Sequence, residues 1–110
     1  MKSNISELKS MNDYAIGEYV IIRTYSAGVW FGKLAKKERD EVILEDARRM
    51  YYWWCLKGIS LSSIALYGIN REKSRICGAV ESVWLQAIEI IPVDKTAIES
   101  IKDAEEAEQS

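Results

Sequence analysis

A chain of 110 residues, 48% apolar and 29% charged, makes one globular domain and can bury a core without metals or disulfides. The net charge of -2 hides an asymmetry: from Asp94 onward there are six acids and two bases, which leaves 13 bases and 11 acids in residues 1–93. Such a near-neutral body lacks the basic bias of a duplex DNA binder, so attraction for anions has to be local.

Residues 1–16 read as an N-terminal arm or short helix, with weak helical spacing at Ile5 and Leu8. The first residues lack the apolar stretch of a secretion signal, and no apolar run approaches 18 residues, so neither export nor membrane spanning is expected. "EYVIIRTY", 18–25, is strand-like by its β-branched and aromatic content. Alternation puts Tyr19, Ile21, Arg23 and Tyr25 on one face and Val20, Ile22 and Thr24 on the other. "SAG", 26–28, is a turn with a glycine available for positive φ, and "VWFGKLAK", 29–36, returns as the second strand of a hairpin. Gly32 inside that strand suggests a bulge or a close backbone approach.

After a polar turn at 37–40, "EVIL", 41–44, is expected as a short strand, broken at "EDA", 45–47. "RRMYYWW", 48–54, has the aromatic density of a further strand, with Arg48, Met50, Tyr52 and Trp54 opposite Arg49, Tyr51 and Trp53. A short helix follows, with Ser60 as N-cap, Leu61, Ile64 and Ala65 on one face, and Gly68 at its end. "RICGAV", 75–80, has weak strand character, and "SVWLQAIEII", 82–91, has strong strand character. Pro92 stops that strand, and Asp94 opens a helix whose Ala97, Ile98, Ile101 and Ala104 form one stripe. The order predicts an α+β fold over 17–103: a twisted, mostly antiparallel sheet, open or curled toward a small barrel, with one short internal and one C-terminal helix. Residues 104–110 read as an acidic tail that frays into solvent.

The chain has no histidine, which removes the usual general base, the Ser-His and Cys-His nucleophile pairs and the commonest metal ligand. Two cysteines, Cys55 and Cys77, cannot build a four-ligand zinc site and are expected to stay reduced. No glycine-rich phosphate motif occurs. A non-enzyme with no cofactor and no metal is therefore expected, with carboxylate or arginine chemistry left as the catalytic alternative.

Two clusters stand out. "RTYSAGVWFG" supplies Arg23, Tyr25, Ser26 and Gly28, and "ARRMYYWW" supplies Arg48, Arg49, Tyr52 and Trp53. Guanidinium groups take phosphate bidentately, aromatic rings stack on a base, and a glycine turn offers N–H donors to an anion. The same residues also suit a plain role, with aromatics as packing elements and arginines paired to Glu45, Asp46 or Glu81.

"RTYSAGVWFGKL", "ILEDARRMYYWW", "SLSSIALYGI" and "AIEIIPVDKTAIESI" together resemble a family of small uncharacterised phage and prophage proteins, catalogued as a domain of unknown function. The resemblance covers about 17–101 and rests on R-T-x-S-A-G-V-x-x-G and A-R-R-x-x-Y-W blocks, which fall here on Arg23, Ser26, Ala27, Gly28, Val29, Gly32, Ala47, Arg48, Arg49, Tyr52 and Trp53. "WCLKGISLSS" departs from it, with bulkier residues where the family carries small ones. The resemblance implies a phage origin and the cytoplasm of a bacterial host, and brings no established activity. By analogy of size and chemistry, the leading expectation is a homo-oligomeric sponge for a nucleotide-derived signalling anion. The alternative is a protein-interaction or structural module whose clusters form an interface, with single-stranded nucleic acid as a third possibility that the near-neutral body disfavours.

Overall fold

The computed structural model describes residues 8–52 and 60–104. Five strands and two α-helices follow in the order β1 (Tyr19–Thr24), β2 (Val29–Glu38), β3 (Glu41–Tyr52), α1 (Leu61–Tyr67), β4 (Arg75–Ile76), β5 (Val80–Pro92) and α2 (Lys95–Lys102). Every pairing is antiparallel, in agreement with the expected α+β sheet. β1 pairs with β2 and β5, and β3 pairs with the same two strands, so four strands close into a ring, with β4 added beside the end of β3.

Closure separates two cores. Val20, Ile22, Trp30, Leu34, Val42, Leu44, Ala47, Leu85 and Ala87 fill the inside of the ring. Ile21, Phe31 and Met50 point outward and are covered by Ile64 and Ala65 of α1 and by Ala97 and Ile101 of α2. Burying each such large apolar side chain contributes about 1.5–3 kcal/mol. The alternation read at 19–25 and 48–51 is thus the division between the inner and outer cores.

Curling so few strands requires local irregularity. The register shifts within β2 between Phe31 and Lys33, and a Cβ at Gly32 would meet the Ala47 Cα and the Glu45 carbonyl at 3.1 Å. The expected close approach at Gly32 is real. "EDA" does not end a strand: Asp46 takes φ 50 and the chain bulges there, so one 12-residue strand runs where two were expected. The strand expected at 75–80 shrinks to two residues.

The helices follow their caps and stripes. The Ser60 side chain accepts from the Ser63 N–H, and Gly68 ends α1 at φ 86. Asp94 holds the N-cap position of α2 without a side-chain bond. At the other end, residues 11–13 form a 3-10 turn within 8–16, the described part of the expected arm. Residues 1–7, Trp53 to Ile59 with Cys55, and the tail 105–110 lie outside the described residues.

Candidate functional site

The pair Arg48–Arg49 straddles the wall of the ring. Arg48 points outward but is only 6% exposed, beneath the last turn of α2. Its Nε donates to the Cys77 carbonyl at 2.7 Å, and its Nη1 to the carbonyls of Ile101, Lys102 and Ala104 at 2.9, 3.1 and 2.7 Å. The carbonyls of Ile101, Lys102 and Ala104 lie at the C-terminal end of α2, where a helix runs short of intrahelical donors and the macrodipole also favours a cation. Arg71 completes the cap by donating to the Ser100 and Glu99 carbonyls. Arg48 is therefore a structural anchor of α2, and it meets helix carbonyls rather than the carboxylates at 45, 46 and 81.

Beside this cap Lys102 reaches back to the ring. Its Nζ donates to the Tyr19 hydroxyl at 3.1 Å, which in turn donates to Asp46 Oδ2 at 3.2 Å. The Tyr19 ring stacks on Phe31 at 5.3 Å. The Lys102 ammonium is held above the ordinary lysine range, first by its hydrogen bond to Tyr19, with the Asp46 and Asp103 charges adding to it. The left-handed Asp46 thus turns its carboxylate toward the helix end.

Arg49 has the opposite surroundings. It is exposed, stands opposite Trp30 in the β2–β3 register, and lays its guanidinium 4.7 Å from the centre of the Trp30 ring. Among the described residues it forms no ion pair. The turn between β1 and β2 overhangs it: a Cβ at Gly28, whose φ is 87, would lie 4.0 Å from Arg49 Cδ. Thr24, which the sequence reading passed over, builds this turn. Its hydroxyl donates to the Gly28 carbonyl and accepts from the Ala27 N–H, while Trp30 Nε1 donates to the Ala27 carbonyl. Ser26 and Gly28 are exposed, and their N–H groups find no backbone acceptor among the described residues. Tyr25 is 76% exposed, and Tyr51, two residues beyond Arg49, is 68% exposed.

The eight sequence candidates accordingly divide. Tyr25, Ser26, Gly28 and Arg49 gather around the turn, joined by Trp30 and Tyr51, which sequence reasoning left out of the site. Arg23 faces the outer side of β1 and pairs with Glu89 at 3.2 Å across the β1–β5 ladder, where both side chains are half exposed. Arg48 is engaged under α2. For Tyr52 only the backbone, paired with Arg75, is described, and Trp53 lies outside the described residues. The available signal for Tyr51 was its spacing of two from Arg49, which puts both on one face of the strand.

Among the described residues no group of three or more acidic or cysteine side chains is placed to hold a metal ion, and no helix is long and apolar enough to cross a membrane. The fold and this surface define a small α+β protein with a closed antiparallel wall and an open arginine–aromatic face at one end. The chain belongs to the family described as a domain of unknown function (DUF6948), which matches residues 17–101. No curated protein and no solved structure matches it.

Proposed function

We propose that this is a non-catalytic phage or prophage protein that captures and sequesters a nucleotide-type anionic signalling molecule in its bacterial host. The observation that carries the reading is the Arg49 guanidinium, exposed, positioned on Trp30 and overhung by the Ser26–Gly28 turn. Such a group presents its fork to phosphate, the turn adds N–H donors, and Tyr25 and Tyr51 offer ring faces to a base. One stacked base contributes about 1–3 kcal/mol, and two charged hydrogen bonds about 3–6 kcal/mol. Nanomolar capture needs about 12 kcal/mol. An open surface of this size falls short, so tight capture calls for a second protomer to close over the ligand.

Native mass spectrometry with a panel of cyclic dinucleotides and ADP-ribose isomers tests the reading. A retained ligand in the wild type that is lost in Arg49→Ala supports it, and no bound species across the panel removes its support. The second reading is an oligomer or partner-protein interface at the same surface, favoured by the exposure of Tyr25 and Tyr51. Under that reading Arg49→Ala changes the assembly mass and leaves ligand retention untouched.

A further inference from the structure

The short strand β4 brings one more arginine to the Arg49 surface. Met50 of β3 faces Ile76 of β4, and both side chains are buried in the outer core. Alternation therefore turns Arg49 and Tyr51 of β3, and Arg75 and Cys77 of β4, to the opposite face. The Cys77 N–H donates to the Arg49 carbonyl at 2.8 Å, so β4 runs directly alongside Arg49. Tyr52 pairs with Arg75 after a register shift, which sets the exposed Tyr51 between the two arginines. Arg75 is itself exposed, and its Nη1 donates to the carbonyl of its chain neighbour Ser74 at 3.1 Å. Among the described residues neither Arg49 nor Arg75 forms an ion pair.

We infer that Arg75 is a second anion-contact residue of this surface, and that the captured ligand is a dinucleotide whose two phosphates are separated by a nucleoside. The inference rests on the capture reading above and narrows it. Arg49 leans over Trp30 on β2, whereas Arg75 stays by its own strand on the other side of β3. The supports of the two guanidinium groups thus lie two strand spacings apart, about 10 Å. One phosphate does not fill both forks across that span, since a bidentate contact needs each fork against its own pair of oxygens. The adjacent phosphates of a pyrophosphate suit it little better. Phosphates joined through a nucleoside reach both forks and lay the intervening base over Tyr51. Like charges on neighbouring strands also repel, and a dianion bound between them relieves that repulsion.

Titration calorimetry of the full chain at several salt concentrations tests it. The probes are cyclic di-AMP and cyclic di-GMP, ADP-ribose as the pyrophosphate, and AMP and GMP with one phosphate each. The wild type is expected to bind a cyclic dinucleotide about tenfold or more tightly than the other probes, the scale of one charged hydrogen bond. Arg75→Gln, which keeps a donor for the Ser74 carbonyl, should lose that preference and lower the slope of log affinity against log salt by about one. Arg75→Lys should keep the slope, a result that a merely structural arginine would not give. Circular dichroism checks that both variants fold. If ADP-ribose or a mononucleotide binds as tightly as the dinucleotides, or if Arg75→Gln keeps the wild-type preference and slope, the inference is overturned while capture at Arg49 stands. If the wild type binds none of the probes, both fall.

Discussion

The helix end under α2 and the turn between β1 and β2 each receive one arginine from the pair Arg48–Arg49, and the two regions use it in opposite ways. Under α2 the guanidinium is buried and saturated by the carbonyls of Ile101, Lys102, Ala104 and Cys77. At the turn it is exposed and rests on a single indole face. Charge, shape and sequence neighbourhood are the same, so these do not decide whether an arginine is structural. What decides is which side of a strand meets unsatisfied acceptors. Side-chain alternation sends consecutive residues to opposite faces, and only the outer face meets the end of a helix.

The largest expected effect breaks the buried half of this comparison. Arg48→Ala leaves several inward carbonyls without a donor, at a cost of about 1–3 kcal/mol for each group left unsatisfied. Urea unfolding should show a loss on the order of 3 kcal/mol, with Arg48→Lys intermediate because an ammonium lacks the planar fork. A loss below about 0.5 kcal/mol, the level of an ordinary surface substitution, would mean that Arg48 does not anchor the helix. Arg49→Ala is expected to cost about 0.5–1 kcal/mol, the scale of an exposed cation–π contact, and to abolish anion retention. If both arginines cost the same stability, the contrast between the regions is lost.

The smallest effect sharpens the comparison at Lys102. Its folded-state pKa is raised, so its contribution is fully present below the unfolded lysine value and is lost as pH rises through the folded one. The stability difference between wild type and Tyr19→Phe should therefore be constant from neutral pH to about 10 and shrink above that. The difference should be small, because Lys102 is well exposed and water screens its contacts. A difference that grows at high pH would contradict the assigned sign.

Much of the fold was legible. Ser60, Gly68 and the Ala97–Ile101 stripe announced both helices, because caps and helical spacing are local properties of the chain. Gly32 announced the close approach of two strands. The bulge at Asp46 was misread as a break, since a single left-handed residue inside a continuous ladder leaves no compositional mark. The candidate site was legible in half: the turn residues and Arg49 gather, while Arg23 turns to Glu89 and Arg48 to the helix. Thr24 was missed because a hydroxyl that closes a turn looks like any strand threonine.

The amino-acid order by itself determined the β1–β2 hairpin, the two helices and that Arg48 and Arg49 part company, because these follow from periods of 2 and 3.6 along one chain. Only the tertiary structure decided that the strands close into a ring, that α2 ends on Arg48, and that Trp84 stays in water. Each of those depends on partners distant in sequence: which face of the sheet a helix covers is settled by packing between elements, and no local pattern encodes it.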